Sequence, residues 1–185
     1  ETFDGIVEAA GKHSVDLIVM GSHGASGFKE MFIGSNTEKV VRTSNIPVLV
    51  IKNKHEAFTV KNFVFATDYS KNNKKPFLEA VNFAKKIGAK IHLLFVNTAS
   101  NFMTTDEINK MADEFLKDVS IKNYSLNIYN DTTVEKGILN FAQSIDAGLV
   151  GMSTHGRKGL AHFFNGSISE DLVNHAKRPV ITFKI

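Results

Sequence analysis

The chain repeats itself. Shifted by 132 residues, the segment 12–52 falls on 144–184 without a gap, and 13 of those 41 positions carry the same residue. Average residue usage would give about two or three matches. The shared positions include Leu17, Met20, His23, Gly24, Gly34, Ser35, Pro47, Val48 and Lys52, with counterparts Leu149, Met152, His155, Gly156, Gly166, Ser167, Pro179, Val180 and Lys184. One supersecondary unit used twice constrains the fold of both copies at once. The second copy starts near Lys61 and ends at Ile185, and 61 − 132 = −71, so much of the first copy would precede Glu1. The expected organisation is therefore a tandem chain truncated at its N-terminus. Residues 1–52 are the last part of a first domain (its fourth and fifth strands with helices), 53–60 a linker, and 61–185 a complete second domain.

The complete copy alternates between two hydrophobic periods. Short β-rich apolar runs fall at 63–67, 90–97, 124–129, 148–152 and 180–183, each of strand length. Between them, Phe77, Ala80, Val81, Ala84 and Ile87 recur at helical spacing and Gly88 stops the pattern; Ile108, Met111, Ala112, Phe115 and Val119 do the same. Thr104-x-x-Glu107 and Thr132-x-x-Glu135 read as capping boxes, and Ser35-x-x-Glu38 and Ser167-x-x-Glu170 have the same form. A strict β-α alternation implies an α/β fold: a parallel five-stranded sheet with helices on both faces. Periodicity leaves two strand orders open, 2-1-3-4-5 and 3-2-1-4-5. In either, ligands bind beyond the C-terminal strand ends where the order reverses.

Composition removes several classes of function. Hydrophobic residues are 43% and charged residues 22% of 185, the balance of a soluble globular chain. No apolar run approaches the roughly 18 residues of a membrane helix. Cysteine is absent, which excludes disulfides and thiolate chemistry and fits a reducing compartment. The net charge is +3, too weak a field to suggest nucleic acid, and no basic stripe with interleaved aromatics occurs. His155 and His162 lack metal-ligand spacing. The expectations are no metal site, no nucleic-acid partner and no membrane partner.

The chemistry-bearing residues follow the fourth strand. The first copy reads Gly21-x2-Gly24-x9-Gly34-Ser35, with His23 inside it; the second reads Ser153-x2-Gly156-x9-Gly166-Ser167, with His155 inside it. Glycines let backbone N–H groups approach a phosphate with no Cβ between, and a serine opening a helix sits at unpaired amides and the positive end of the dipole. Polyphosphate binding is the physical expectation. The competing reading is that Gly166 holds a turn, that Ser167 caps a helix and that Asp68 caps the helix after the first strand. The pattern is neither a Walker A loop nor a Rossmann fingerprint, and no general base or paired metal carboxylates stand out, so no catalytic residue is expected.

These motifs, with Asp16–Gly24, Ile46-Pro47-Val48-Leu49-Val50, and the run from Val64 through Asp68-Tyr69-Ser70 to Pro179-Val180-Ile181, resemble the universal stress protein family over nearly the whole chain. The resemblance implies the 3-2-1-4-5 order and ATP, alone or with magnesium, at the junction of strands one and four. By position, Thr67 and Asp68 would meet the adenosine side, with the Asp68 carboxylate near ribose, and Val96 would touch adenine. Ser153, His155 and Gly156 would follow the phosphates, and Gly166, Ser167, Ile168 and Ser169 would hold the phosphate tail and ribose. Ser153 departs from the family glycine. Gly21, His23, Gly24, Gly34 and Ser35 would form a partial second site. The resemblance further implies a cytoplasmic stress-response regulator or sensor with at most slow ATP hydrolysis, a homodimer or domain-swapped assembly with last strands paired, and, within this chain, docking of Val48–Ile51 against Val180–Phe183. The alternative is a dimerisation or interaction module of the same fold that binds no nucleotide.

Overall fold

The computed structural model describes residues 2–22, 34–53, 58–154 and 168–185. Helix α1 (Thr2–Lys12) leads to strand β1 (Ile18–Gly21), helix α2 (Ser35–Thr43) and strand β2 (Val48–Ile51). The second copy follows with β3 (Asn62–Ala66), a 3-10 turn (Lys71–Asn73), α3 (Lys74–Ile87), β4 (Lys90–Thr98), α4 (Thr105–Leu116), β5 (Tyr124–Asp131), α5 (Val134–Ser144), β6 (Leu149–Thr154), α6 (Ile168–His175) and β7 (Val180–Lys184).

All of these strands lie in one sheet of order β1-β2-β7-β6-β3-β4-β5. The expectation of a five-stranded sheet plus a partial copy is corrected in one respect: among the described residues the two join in a single sheet of seven strands. The reason is edge pairing. β7 offers an unpaired edge of buried apolar residues, and β2 pairs with it antiparallel, Val48 opposite Thr182, Leu49 opposite Ile181 and Val50 opposite Val180. Every other strand pair is parallel. Within the larger sheet the second copy runs β5-β4-β3-β6-β7, so the order reverses between β3 and β6.

Two apolar layers sandwich the sheet. On one face Val40, Val64, Leu94, Ile138, Val150, Leu172 and Val180 form a buried cluster with α1, α2, α5 and α6. On the other, Phe63, Phe65, Phe77, Leu93, Ile108, Phe115, Leu149, Ile181 and Phe183 pack with α3 and α4. The phenylalanines meet edge-on or tilted: Phe65 lies 5.9 Å from Phe77 and 6.1 Å from Phe183. Gly151 is required by close approach, since a Cβ there would stand 2.6 Å from Phe63 Cε2.

Local signals explain some of the helix ends. Thr104 Oγ1 accepts from Glu107 N while Glu107 Oε2 accepts from Thr104 N at 2.8 Å, a complete capping box. Gly88 ends α3 in the left-handed conformation at φ 69°. Two expected caps are corrected. The N-cap of α5 is Thr133, which accepts from Lys136 N at 3.2 Å, not Thr132. Glu135 is thereby turned toward α6, where its carboxylate meets His175 Nδ1. In α2 the N-cap is Gly34, without a side-chain bond, and Glu38 pairs with Arg42 at 3.2 Å.

Candidate functional site

The site is built where β3 and β6 end side by side. They pair in parallel from Phe63–Leu149 to Ala66–Met152. Beyond those last paired residues, Thr67 and Asp68 leave one strand as Ser153 and Thr154 close the other. On the far side β3 pairs with β4, ending at Ala66 opposite Leu94. Two residues further stand Asp68 and Val96.

A left-handed turn aims the acidic group. Tyr69 has φ 57°, a strained choice for an aromatic residue. Its ring is buried and stacked on Phe95 at 6.0 Å and 9°, with Phe115 at 5.5 Å. Burial pushes the phenol well above its ordinary value. The anchored ring holds the strain, and the turn brings Ser70 N within 2.8 Å of Asp68 Oδ1. Asp68 therefore closes an Asx-type turn. It is not the N-cap of α3, a position held by Asn73.

Asn73 then joins the two strand ends. Its Nδ2 donates to Asp68 Oδ1 and, at 3.1 Å, to Ser70 Oγ, while its Oδ1 accepts from the Ser153 hydroxyl. Asp68 itself is exposed and Asn73 is buried. The expected residues Asp68 and Ser153 are thus brought together through a third residue that sequence reasoning missed. Its signal was faint: an amide five residues after a strand-end aspartate has no distinctive spacing, and its partner Ser153 is 80 residues away.

The remaining expected residues fall into three groups. Thr67 is nearly buried; its Oγ1 accepts from Tyr69 N at 3.0 Å and its N donates to Leu94 O at 3.0 Å, so it shapes the turn. Val96 is half-buried against α5, where Gly137 makes room for it: a Cβ on Gly137 would stand 2.4 Å from Val96 Cγ1. Ile168 opens α6 and is exposed, and Ser169 follows it in the helix. His155, Gly156, Gly166 and Ser167 lie outside the described residues.

In the first copy, Gly21 ends β1 and its carbonyl accepts from Thr37 Oγ1 at 3.0 Å. Gly34 N donates to Ser22 O at 2.7 Å, so that amide is engaged within the protein. Ser35 begins α2. His23 and Gly24 lie outside the described residues. No strand pairs with the outer edge of β1 among the described residues. This half therefore presents no counterpart to Asp68 or Asn73 among them.

Among the described residues, no group of His, Asp and Glu side chains could hold a metal ion, and no helix is long and apolar enough to cross a membrane. What the junction offers is a fixed carboxylate, two hydroxyls and a half-buried aliphatic wall, a set suited to a neutral hydroxylated group beside an apolar ring.

Comparison with known proteins places this geometry in a family context. A model of the universal stress protein family matches residues 1–52 and 59–184. Universal stress protein MJ0577 of Methanocaldococcus jannaschii is 52% identical over 50 residues, 27% of this chain and 31% of that protein. The crystal structure of a universal stress protein from Archaeoglobus fulgidus superposes with a TM-score of 0.76 at 26% identity, over 98% of this chain and 66% of that one. The chain thus spans less than two thirds of each of these relatives. A universal stress protein solved in complex with cAMP shares the fold, with a TM-score of 0.51 at 15% identity over 67% of this chain and 97% of that one.

Proposed function

Because the chain belongs to the universal stress protein family, we propose that it is a stress-response regulator or sensor that binds an adenine nucleotide, ATP in particular, at the end of β3 and β6. The observation that carries this reading is the Asp68 carboxylate, exposed and fixed beside Ser153 at the point where the strand order reverses. The sequence adds Gly156, Gly166 and Ser167 in the following loop, whose spacing suits a phosphate chain. A universal stress protein of this fold was solved in complex with cAMP, which supports an adenine nucleotide as the class of ligand.

In this reading Asp68 receives ribose hydroxyls, Val96 lies beside adenine, and the loop from Ser153 to Ile168 and Ser169 takes the phosphates. Micromolar affinity needs about 8 kcal/mol. A helix N-terminus supplies roughly 0.3–1 kcal/mol for an anion, so the loop amides, the carboxylate and ring burial must act together. The sequence offers no positioned general base, and the reading includes at most slow ATP hydrolysis. The organisation it assumes is tandem, with 1–52 the end of one domain, 53–60 a linker and 61–185 the second domain, working in the cytoplasm and pairing with other subunits.

The test is mass spectrometry of nucleotide released from purified protein, with thermal melting in added ATP. Ligand bound to the folded chain raises the melting point by mass action. ATP should raise it, and Gly166→Val should remove the rise. An unmoved melting point and no released nucleotide would favour the second reading, an interaction module of the same fold. The antiparallel junction of β2 with β7 supports that alternative.

A further inference from the structure

Asn73 is only 6% exposed, yet it is polar and contributes to neither apolar layer. A side-chain amide has one acceptor oxygen and two N–H donors. Asn73 commits all three, taking the Ser153 proton on Oδ1 and giving one hydrogen each to Asp68 Oδ1 and Ser70 Oγ. The two ends of this chain fix one orientation between them. If the amide were turned over, its oxygen would face the Asp68 carboxylate, acceptor against acceptor. The Ser153 hydroxyl donating from the other strand holds the opposite arrangement.

The consequence falls on Asp68. Its Oδ1 accepts from both Ser70 N and Asn73 Nδ2. Its Oδ2 has no hydrogen-bond partner among the described residues, on an exposed side chain at the strand junction. A carboxylate so held has one saturated oxygen and one available to a donor. A hydroxyl is such a donor and a phosphate is not.

Resting on the nucleotide reading above, we propose that Asn73 is the positioning residue of this site: anchored by Ser153 across the β3–β6 junction, it holds the Asp68 carboxylate so that Oδ2 takes a ribose hydroxyl. Ser153 then has a reason to replace glycine. The first copy carries Gly21 at the same place and cannot donate such a bond. Asn73 acts through Asp68 and makes no contact with the ligand itself.

The experiment is calorimetric titration of the full chain with ATP, 2′-deoxy-ATP and 3′-deoxy-ATP, for the wild type, Asn73→Leu and Ser153→Ala, with a melting curve for each. Wild type should prefer ATP to one deoxy analogue by about tenfold, the weight of a hydrogen bond to a charged group. Asn73→Leu should bring that preference to within about twofold while leaving affinity for the same analogue unchanged, and Ser153→Ala should narrow the preference to the same extent, read as a ratio between ligands whatever its effect on overall affinity. A merely structural role would weaken all three ligands alike. Should Asn73→Leu fail to melt cooperatively, Ser153→Ala decides the matter, since it leaves the buried amide in place. ATP binding with an unaltered preference in the variants, or with no preference in wild type, would overturn the role of Asn73 and leave the nucleotide reading standing. No binding of any of the three by wild type would overturn both.

Discussion

Leu49 stands opposite Ile181 in the antiparallel junction between β2 and β7, and the two are 132 residues apart, the offset of the sequence repeat. On either side, Val48 meets Thr182, the counterpart of Val50, and Val50 meets Val180, the counterpart of Val48. The register therefore has two-fold symmetry centred on Leu49 and Ile181, the arrangement of an isologous contact within one chain. Beyond the strands the symmetry continues. Lys52 Nζ donates to Asn174 O at the end of α6, and its counterpart Lys184 donates to Arg42 O at the end of α2, at 3.1 Å for the latter. Each copy's last lysine thus satisfies a carbonyl in the last turn of the other copy's helix, where a cation also suits the dipole.

Leu49 is 4% exposed within the aromatic layer. Leu49→Ala should destabilise the protein by about 2–4 kcal/mol, the cost of a buried leucine truncated in a packed core. Urea denaturation measures this, and a loss under about 0.5 kcal/mol would mean that the junction does not hold the two copies together.

The reciprocal lysines should act independently. Lys52→Met and Lys184→Met should each cost about 0.5–1.5 kcal/mol, and the double variant close to the sum. Burial lowers the ionisation of both amines below the ordinary lysine value, so each ammonium is partly desolvated and its hydrogen bond matters. Melts that leave both single variants at wild-type stability would remove these bonds from the account.

His92 gives a pH dependence with a definite sign. It lies buried in β4, with Nε2 3.0 Å from Asn62 Oδ1 and Nδ1 2.8 Å from Ser125 Oγ. Asn62 Oδ1 can only accept, so Nε2 carries the proton of the neutral ring and Nδ1 accepts from Ser125. Burial first, and the Lys90 charge second, hold its ionisation below the ordinary 6.5. The unfolded chain therefore takes up a proton before the folded one does. Stability from this residue is complete above about pH 6.5 and falls as pH drops from there toward the lowered folded value. Denaturation at pH 7.5, 6.0 and 5.0 should show that fall in wild type and a smaller one in His92→Gln. Equal slopes would show that the ring is not titrating as described.

Gly151 and its counterpart Val19 should respond in opposite ways. Gly151 is wedged between Phe63 and Ile181, where a Cβ would lie 2.6 Å and 3.1 Å from their side chains. Val19 is 58% exposed on the edge strand β1. Gly151→Ala should cost about 1–3 kcal/mol through overpacking, whereas Val19→Ala should stay within about 0.5 kcal/mol. A neutral Gly151→Ala in the same denaturation series would contradict the packing described between β6 and β3.

Features set by local chemistry were readable in the sequence. The Thr104–Glu107 box and the left-handed Gly88 involve residues within one helical turn, and their patterns are specific. The α/β class followed from alternating periods. The seven-stranded sheet did not follow from those periods, because it depends on a contact between residues far apart in sequence; the docking of Val48–Ile51 on Val180–Phe183 was expected from the family resemblance instead, and β2 pairs with β7 accordingly. Thr132 and Thr133 were ambiguous because either hydroxyl can reach a first-turn amide; the geometry of the Asp131 end, where Asp131 accepts from Thr132 N, settles it for Thr133. At the candidate site, Asp68 and Ser153 were legible as strand-end polar residues. Asn73 was not, because its place is set by the strained turn at Tyr69 and by a hydroxyl on another strand.

The central claim is that the junction of β3 and β6 binds an adenine nucleotide through Asp68. The most direct test is calorimetric titration of ATP into wild type and into Asp68→Ala, with circular dichroism showing both folded. Saturable binding by wild type, weakened about tenfold or more in Asp68→Ala, is the predicted result. Equal affinities in the two proteins, or no heat of binding in wild type, would contradict it.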